Sequence, residues 1–272
     1  MSGATTAVRD RLTGGGSGRL PVAASAVVLL VLWQAVASTV PAYVFPTPVE
    51  LLSAVVVVAA PGGEFSPTTN YAYTLLRVGV ASAVCLVVGV TGGIAMGRSE
   101  RTKEYGYVFV LMSFAFPSVI WAFLAVLWFG LTTLLVPVFV VCMIVVPYVV
   151  IVVEEGTRDL DRDLLEMGEA FGADADQLWR EVYVPHLYPH IFASARLTFT
   201  LAWKITLVAE LFGTRNGVGQ VVRYFFQAQQ NDMILAWAVP MMVLMYGVEQ
   251  LLGWAETAAF AWRDEADRVV AG

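Results

Sequence analysis

Charge is scarce in this chain: Asp, Glu, Lys and Arg make up 14% of its 272 residues, against about 25% in an average soluble domain. A composition this apolar excludes an ordinary soluble fold. Lysine is scarcer still, with only Lys103 and Lys204 beside 14 arginines. A P-loop needs Gly-Lys-Ser/Thr to cradle phosphate. Neither lysine follows a glycine, so the chain carries no ATPase motif of that kind. Cysteine is limited to Cys85 and Cys142, both inside apolar runs, with neither metal spacing nor a disulfide framework. They read as small membrane-buried side chains. The two histidines, His186 and His190, sit around Pro189 and match no zinc pattern. No metal, cofactor or catalytic residue is expected. The formal net charge is −6, with Asp and Glu concentrated in polar loops. Such a balance fits a salt-rich cytoplasm or a codon bias.

What is abundant is apolar sequence, 58% of the chain. Several runs approach or exceed ~18 residues, the length that crosses a bilayer as a helix. In lipid, only helices or a closed barrel satisfy the backbone, and continuous rather than alternating runs select helices. The expected fold is all-α with about six spans. Residues 1–19 read as a flexible Gly-rich tail. Leu20 to Ser38 is expected to be an uncleaved first span, since its apolar run is too long for the signal peptide that Ala35-Val36-Ala37 suggests. Val49 to Ala60, stopped by Pro61-Gly62-Gly63, is too short to span and reads as an interfacial or re-entrant helix.

Spans two to four are expected at Thr74–Gly97, Tyr105–Phe129 and Leu131–Val153, the last two joined as a hairpin at Gly130, with kinks at Pro137 and Pro147. Gly89, Gly93 and Gly97 recur every four residues, a spacing that lets helices approach closely. Span five is Ile191–Gly213 and span six Met233–Glu256, linked by the polar residues 214–232. The membrane domain is thus 20–262, followed by a charged tail, 263–272. Arg and Lys placement puts both termini and the charged segment 154–189 in the cytoplasm, leaving Arg215 and Arg223 in outer loops.

That segment is the most informative part of the chain. Asp161-Arg162-Asp163-Leu164-Leu165 opens a short helix that ends near Phe171-Gly172, where glycine suits a left-handed stop. Asp174 with Gln177 three residues on reads as a capping box for a second helix, ended by Pro185. The expectation is a helix–turn–helix outside the membrane, between spans four and five.

Glu166-Met167-Gly168-Glu169-Ala170-Phe171-Gly172, then nine residues, then Val182-Tyr183-Val184-Pro185, resembles the EAA loop of binding-protein-dependent ABC permeases of the type I importer kind. Glu166, Gly172 and the closing Val182, Val184 and Pro185 stand at the motif positions. Gly168 replaces one alanine acceptably, and Met167 departs from the other. Phe45-Pro46-Thr47-Pro48, Thr74 to Val78, Ala202-Trp203 and Ala209-Glu210 are similar to segments of the nitrate, sulfonate and taurine branch. The resemblance covers about residues 20–256. It implies a plasma-membrane permease that works as a homodimer or beside a similar subunit. A separate cytoplasmic ABC ATPase would supply the energy, and an extracytoplasmic substrate-binding protein would deliver solute. It also implies ATPase coupling through Glu166, Gly168, Glu169, Ala170, Gly172, Val182, Val184 and Pro185, with Gly168 and Ala170 small enough for close docking. The solute would be nitrate, taurine or another sulfonate, a thiamine-precursor pyrimidine or riboflavin.

Charges inside spans are functional candidates by default. Arg77 near the outer end of span two and Glu210 in the outer third of span five are expected at the same depth and to pair, such that exchanging the two charges partly restores a chain weakened by losing either. Lys204 lines the pathway and favours an anionic solute, or it pairs with Glu249 or a carbonyl. Trp203, Trp237 and Trp254 read as packing or interface residues. Two other classes stay open: a secondary carrier driven by an ion gradient, which would need internal repeats and buried carboxylate relays, and a membrane enzyme, which would need clustered ligands.

Overall fold

The apolar runs fold into helices. A computed structural model describes residues 19–259 except 42, 61 and 62, and among these there is no strand. Of the expected tails, 1–19 and 263–272, all but Arg19, which begins α1, lie outside the described residues. The chain divides into two compact units: Met1–Gly63 with Tyr224–Val239, and Glu64–Arg223 with Pro240–Gly272.

In the first unit, α1 (Arg19–Ala37) is followed by α2 (Pro48–Ala59). The start of α2 is set locally. Thr47 Oγ1 accepts from the Glu50 amide at 3.3 Å, Glu50 returns the bond to the Thr47 amide at 2.7 Å, and Pro48 occupies the first helical position. Leu51 and Ala54 then pack against Ala236, with Trp33 and Met233 around them. Trp33 Nε1 donates to the Pro46 carbonyl at 2.9 Å, which ties the linker back onto α1.

The second unit carries α3 (Pro67–Arg98), α4 (Glu100–Ala115), α5 (Ser118–Phe129), α6 (Leu135–Arg158), α7 (Arg162–Ala170), the short α8 (Ala175–Leu178) and α9 (Val184–Gly213). Two further helices, α10 (Val218–Gln227) and α11 (Asn231–Ala259), each run from residues of one unit into residues of the other. Among the described residues, four helical stretches are long and apolar enough to cross a bilayer: Pro67–Arg98, Leu135–Arg158, Ala175–Gly213 and Asn231–Ala255. The α4–α5 pair makes a fifth if counted as one span. A sixth would be α1, whose apolar part, Ala23–Ala37, is shorter.

Several expected boundaries change, each for a local reason. The single span expected over Tyr105–Phe129 is broken, and α4 and α5 meet at 99°. Pro117 has no N–H and forces Phe116 out of the helical region, to φ −88 and ψ 126. Pro137 produces no kink, because it falls in the first turn of α6, where an N–H has no intrahelical acceptor. Pro185 does not end the second loop helix. Residues Ala175–Gly213 form one continuous 39-residue helix, because a π turn at Trp179–Tyr183 lets the Val184 amide reach the Trp179 carbonyl and seats the proline ring. The polar link 214–232 contains α10, whose Val218 and Val221 are buried.

The core of this unit is the packing of α3, α6 and α9. A Cβ placed on Gly89 would meet Val149 at 2.5 Å, and one on Gly93 would meet Val153 at 2.7 Å and the Val150 carbonyl at 2.8 Å. A Cβ on Gly97 would run into Thr157. The three glycines therefore face 149, 153 and 157 in register, each one turn further along both helices. Lipid offers no hydrophobic drive between spans, so this close backbone approach supplies the association through dispersion. Gly93→Ala is expected to lower the melting temperature of the detergent-solubilised chain, overpacking costing about 1–3 kcal/mol. Gly79→Ala, whose new methyl meets nothing within 4 Å, is expected to leave it unchanged or raise it. Equal melting temperatures for the two variants would contradict the seam.

Candidate functional site

Two regions gather the functional candidates. The first is the loop from α7 to the base of α9. Asp161 caps α7 by accepting from the Asp163 amide at 2.9 Å. The helix stops at Gly172, which has φ +84. Ala173 N–H donates to the Gly168 carbonyl at 3.0 Å and Gly172 N–H to the Glu169 carbonyl at 2.9 Å, which together form a Schellman stop. Asp174 and Gln177 then exchange bonds of 2.8 and 2.9 Å in a capping box. Gly168 is small for an internal reason: a Cβ there would meet Leu178 at 2.6 Å, so it lets the second helix fold against α7. Ala170, Glu166, Glu169 and Pro185 are exposed, and Val182 and Val184 are half-buried.

Sequence reasoning expects apolar and acidic faces on this loop but does not say which residues of α7 form its apolar side. Leu164, Met167 and Phe171 lie at helical spacing on one face and are all exposed, Phe171 by 86%. It also missed what holds the loop to the membrane helices. The guanidinium of Arg98, the last residue of α3, lies 5.4 Å from the centroids of both the Trp179 and Tyr183 rings, at the π turn. Each such contact contributes about 0.5–1 kcal/mol at an exposed site. The His186 ring donates to the Gly156 carbonyl at 3.0 Å and His190 fills the space beside Gly156, so both histidines fasten α9 to α6. A cavity of about 630 Å³ lies under the loop, bordered by Arg98, Thr157, Leu165, Glu166 and Tyr183. Salt bridges Lys103–Glu154 at 2.9 Å and Arg158–Glu100 at 3.0 Å join the start of α4 to the end of α6.

The second region is at the other end of α9. Arg77 and Glu210 meet with Nη1 and Oε1 2.5 Å apart, their side chains 1% and 0% exposed. The rest of the cluster was not legible in the sequence. Arg77 donates to the carbonyls of Thr133 and Asn216 at 2.5 and 2.8 Å, and to the Asn216 side chain. Glu210 accepts from the Gly219 amide at 2.8 Å, and the Thr74 hydroxyl lies 3.0 Å from both its oxygens. Asn70 takes the Gly217 amide at 2.8 Å and Thr74 the Val218 amide at 2.9 Å. Gly217, at φ +101, and Gly219 close over the pair, where any Cβ would strike the Glu210 side chain. The cluster pins the turn before α10 onto α3 and α9.

Lys204 is exposed, its ammonium 5.9 Å from the Trp203 ring centroid. It does not pair with Glu249, which accepts from the Thr200 hydroxyl at 3.0 Å. Among the described residues no group of three or more His, Cys, Asp or Glu side chains could hold a metal. Cys85 and Cys142 are free thiols facing each other across α3 and α6, sulfurs 3.5 Å apart.

Residues 89–257 match the protein family described as "Binding-protein-dependent transport system inner membrane component". The chain is 23% identical to the taurine transport system permease protein of Escherichia coli (strain K12), over 88% of each chain. It is 25% identical to a putative aliphatic sulfonates transport permease protein of Bacillus subtilis (strain 168), over 87% of this chain and 85% of that one. A formylaminopyrimidine transport permease protein of Halalkalibacterium halodurans is 24% identical over 72% and 77%. The fold is shared with a solved chain of an inward-facing methionine ABC transporter, TM-score 0.59 at 19% identity, covering 69% of this chain and 92% of that one.

Breaking a buried pair leaves one charge unsolvated, which costs about 3–5 kcal/mol. Glu210→Gln and Arg77→Gln are each expected to abolish most of the monodisperse protein recovered by size exclusion. Exchanging the charges, contrary to the simple pair expectation, will not restore it. The Thr133 and Asn216 carbonyls would then face a carboxylate and the Gly219 amide a guanidinium. Recovery at the parent level from either single variant or from the exchange would contradict this cluster.

Proposed function

Because the chain belongs to the family of binding-protein-dependent transport system inner membrane components, we propose that its α7–α8 loop is where a separate cytoplasmic ABC ATPase docks and drives it. The chain is a multi-pass, membrane-spanning permease subunit of an ABC importer. It is a transport subunit, and in this reading ATP is hydrolysed by the partner chain. The single observation that carries the docking assignment is the exposed face of Leu164, Met167 and Phe171 on a helix that is capped at both ends, in a loop whose second helix is held by Arg98. An apolar patch held out on a rigid helix is the kind of surface that a partner's groove covers.

Within that surface Glu166 and Glu169 face basic groove residues, and Ala170 allows close approach. Gly172 sets the angle between the two loop helices. Val182, Val184 and Pro185 shape the base of α9 and do not touch the partner. The loop lies on the cytoplasmic side with both termini, as the arginine distribution favours. When the ATPase closes, the loop moves over its 630 Å³ cavity. The displacement travels along the continuous helix Ala175–Gly213, a rod of roughly 60 Å. Solute arrives from an extracytoplasmic binding protein and crosses between two such permeases, identical or similar, by alternating access. The taurine and aliphatic sulfonate relatives point to a small sulfonate-like solute.

Phe171→Glu tests the docking surface. Losing a central aromatic anchor costs about 2 kcal/mol or more, so the ATPase recovered by mass spectrometry after gentle extraction is expected to drop about 30-fold. The melting temperature of the permease should stay unchanged, since the side chain is exposed. Undiminished recovery of the ATPase with the variant would place the docking surface elsewhere.

A further inference from the structure

The break between α4 and α5 brings Ser118, the first residue of α5, to a groove that it shares with Val140 and Ile144 of α6 and Lys204, Ile205 and Val208 of α9. The groove holds about 120 Å³. Two of its features are incompatible with lipid. Lys204 is exposed within a membrane-crossing helix, and no carboxylate lies within 4.0 Å of it among the described residues. A lysine at that depth costs at least about 2.5–3.5 kcal/mol unless water or a partner receives it. The chain at Phe116–Pro117 has also left the helix, with Phe116 extended. Non-helical backbone at membrane depth persists only where protein covers it or a water-filled path runs beside it. Ser118 and its neighbours Pro117 and Val119 are exposed, so no described residue of this chain covers it.

Both features therefore require water or a second subunit on the same face. Glu249 accepts from the Thr200 hydroxyl, and the groove itself contains no acid. We infer that Lys204 and Ser118 form an anion-binding step of the solute pathway, which takes small organic anions carrying a sulfonate or a carboxylate. This rests on the permease reading above and adds which face of the subunit lines the path and the sign of charge it selects. The ammonium supplies the charge and the hydroxyl a donor, while Val140, Ile144 and Val208 admit a short alkyl stem.

The test places a cysteine one turn from the lysine, Val208→Cys, in the full transporter in permeabilised membrane vesicles. A second reporter, Ser118→Cys, guards against a folding defect in the first, and the parent chain with Cys85 and Cys142 sets the background. The probes are two membrane-impermeant methanethiosulfonates, one ending in a sulfonate and one in a trimethylammonium. Both reporters are expected to react, and Lys204→Gln is expected to lower the ratio of anionic to cationic labelling about tenfold, as for loss of one nearby charge in a partly aqueous site. Lys204→Arg should keep the ratio. Two unreactive reporters beside a reactive Phe171→Cys would overturn the water-lined face. A ratio indifferent to Lys204→Gln would overturn the anion assignment. Labelling needs neither ATP nor a docked ATPase, so loss of the docking surface proposed above would leave this result standing.

Discussion

A buried arginine and a buried glutamate in a membrane helix bundle have no solvent to fall back on. At Arg77 and Glu210 each charge is received by the other and by a shell of fixed dipoles: carbonyls around the guanidinium, amides and a hydroxyl around the carboxylate. The cost of dehydrating the two ions is met only if every member of that shell is in place. The requirement propagates outward. Asn216 must turn back towards α3, Gly217 must hold a positive φ so that its neighbour can do so, and Gly219 must approach Glu210 without a side chain. Helix α10 then starts where the amides of Val218 and Gly219 have already been consumed by Thr74 and Glu210. One ion pair thereby decides where α9 stops and where the next helix begins.

The glycine seam between α3 and α6 has a different character. It carries no charge and stabilises through contact alone, yet it makes α3 and α6 behave as one body over about two helical turns. Arg98, at the end of the same helix, lies over two aromatic rings of the loop. The loop is thus gripped by the body it would move against, and α9 joins it directly to the buried cluster at the far end. The proposed docking surface at one end and the rigid polar cluster at the other are consistent with a lever that rotates as a unit. A helix that bent at every proline would lose displacement along its length. The π turn at Trp179–Tyr183 matters for this reason, since it keeps Pro185 within a continuous helix.

Much of the loop was legible because its determinants are local. Gly172 and the Asp174–Gln177 box act over three or four residues, and the structure places them as a helix stop and a helix start. Gly168 shows the limit of that reading. Its smallness reads as room for a partner, whereas Leu178, ten residues on, occupies the space. The exposed Leu164, Met167 and Phe171 were also obscured, since apolar residues in a short polar helix ordinarily signal a buried face. Only the surrounding fold shows that, among the described residues, nothing covers them. In the spans, hydrophobicity located the helices but not their ends. Pro117 broke a run that composition treats as continuous, and Pro185 failed to end one.

The sequence by itself determined the class of fold, the lipid environment, the loop with its caps and the spacing of the small residues. These follow from residue type and from periods of a few positions, which act before any tertiary contact forms. Tertiary structure alone decided which side of each span meets protein, since an apolar side chain facing lipid looks the same in sequence as one facing another helix. It also decided the carbonyl and amide partners of Arg77 and Glu210, because backbone groups carry no signature in the sequence. The same holds for the partners of the glycine seam and for the rings beneath Arg98. Lys204 and Ser118 lie 86 residues apart by their numbers, and only the 99° break between α4 and α5 brings them to one groove.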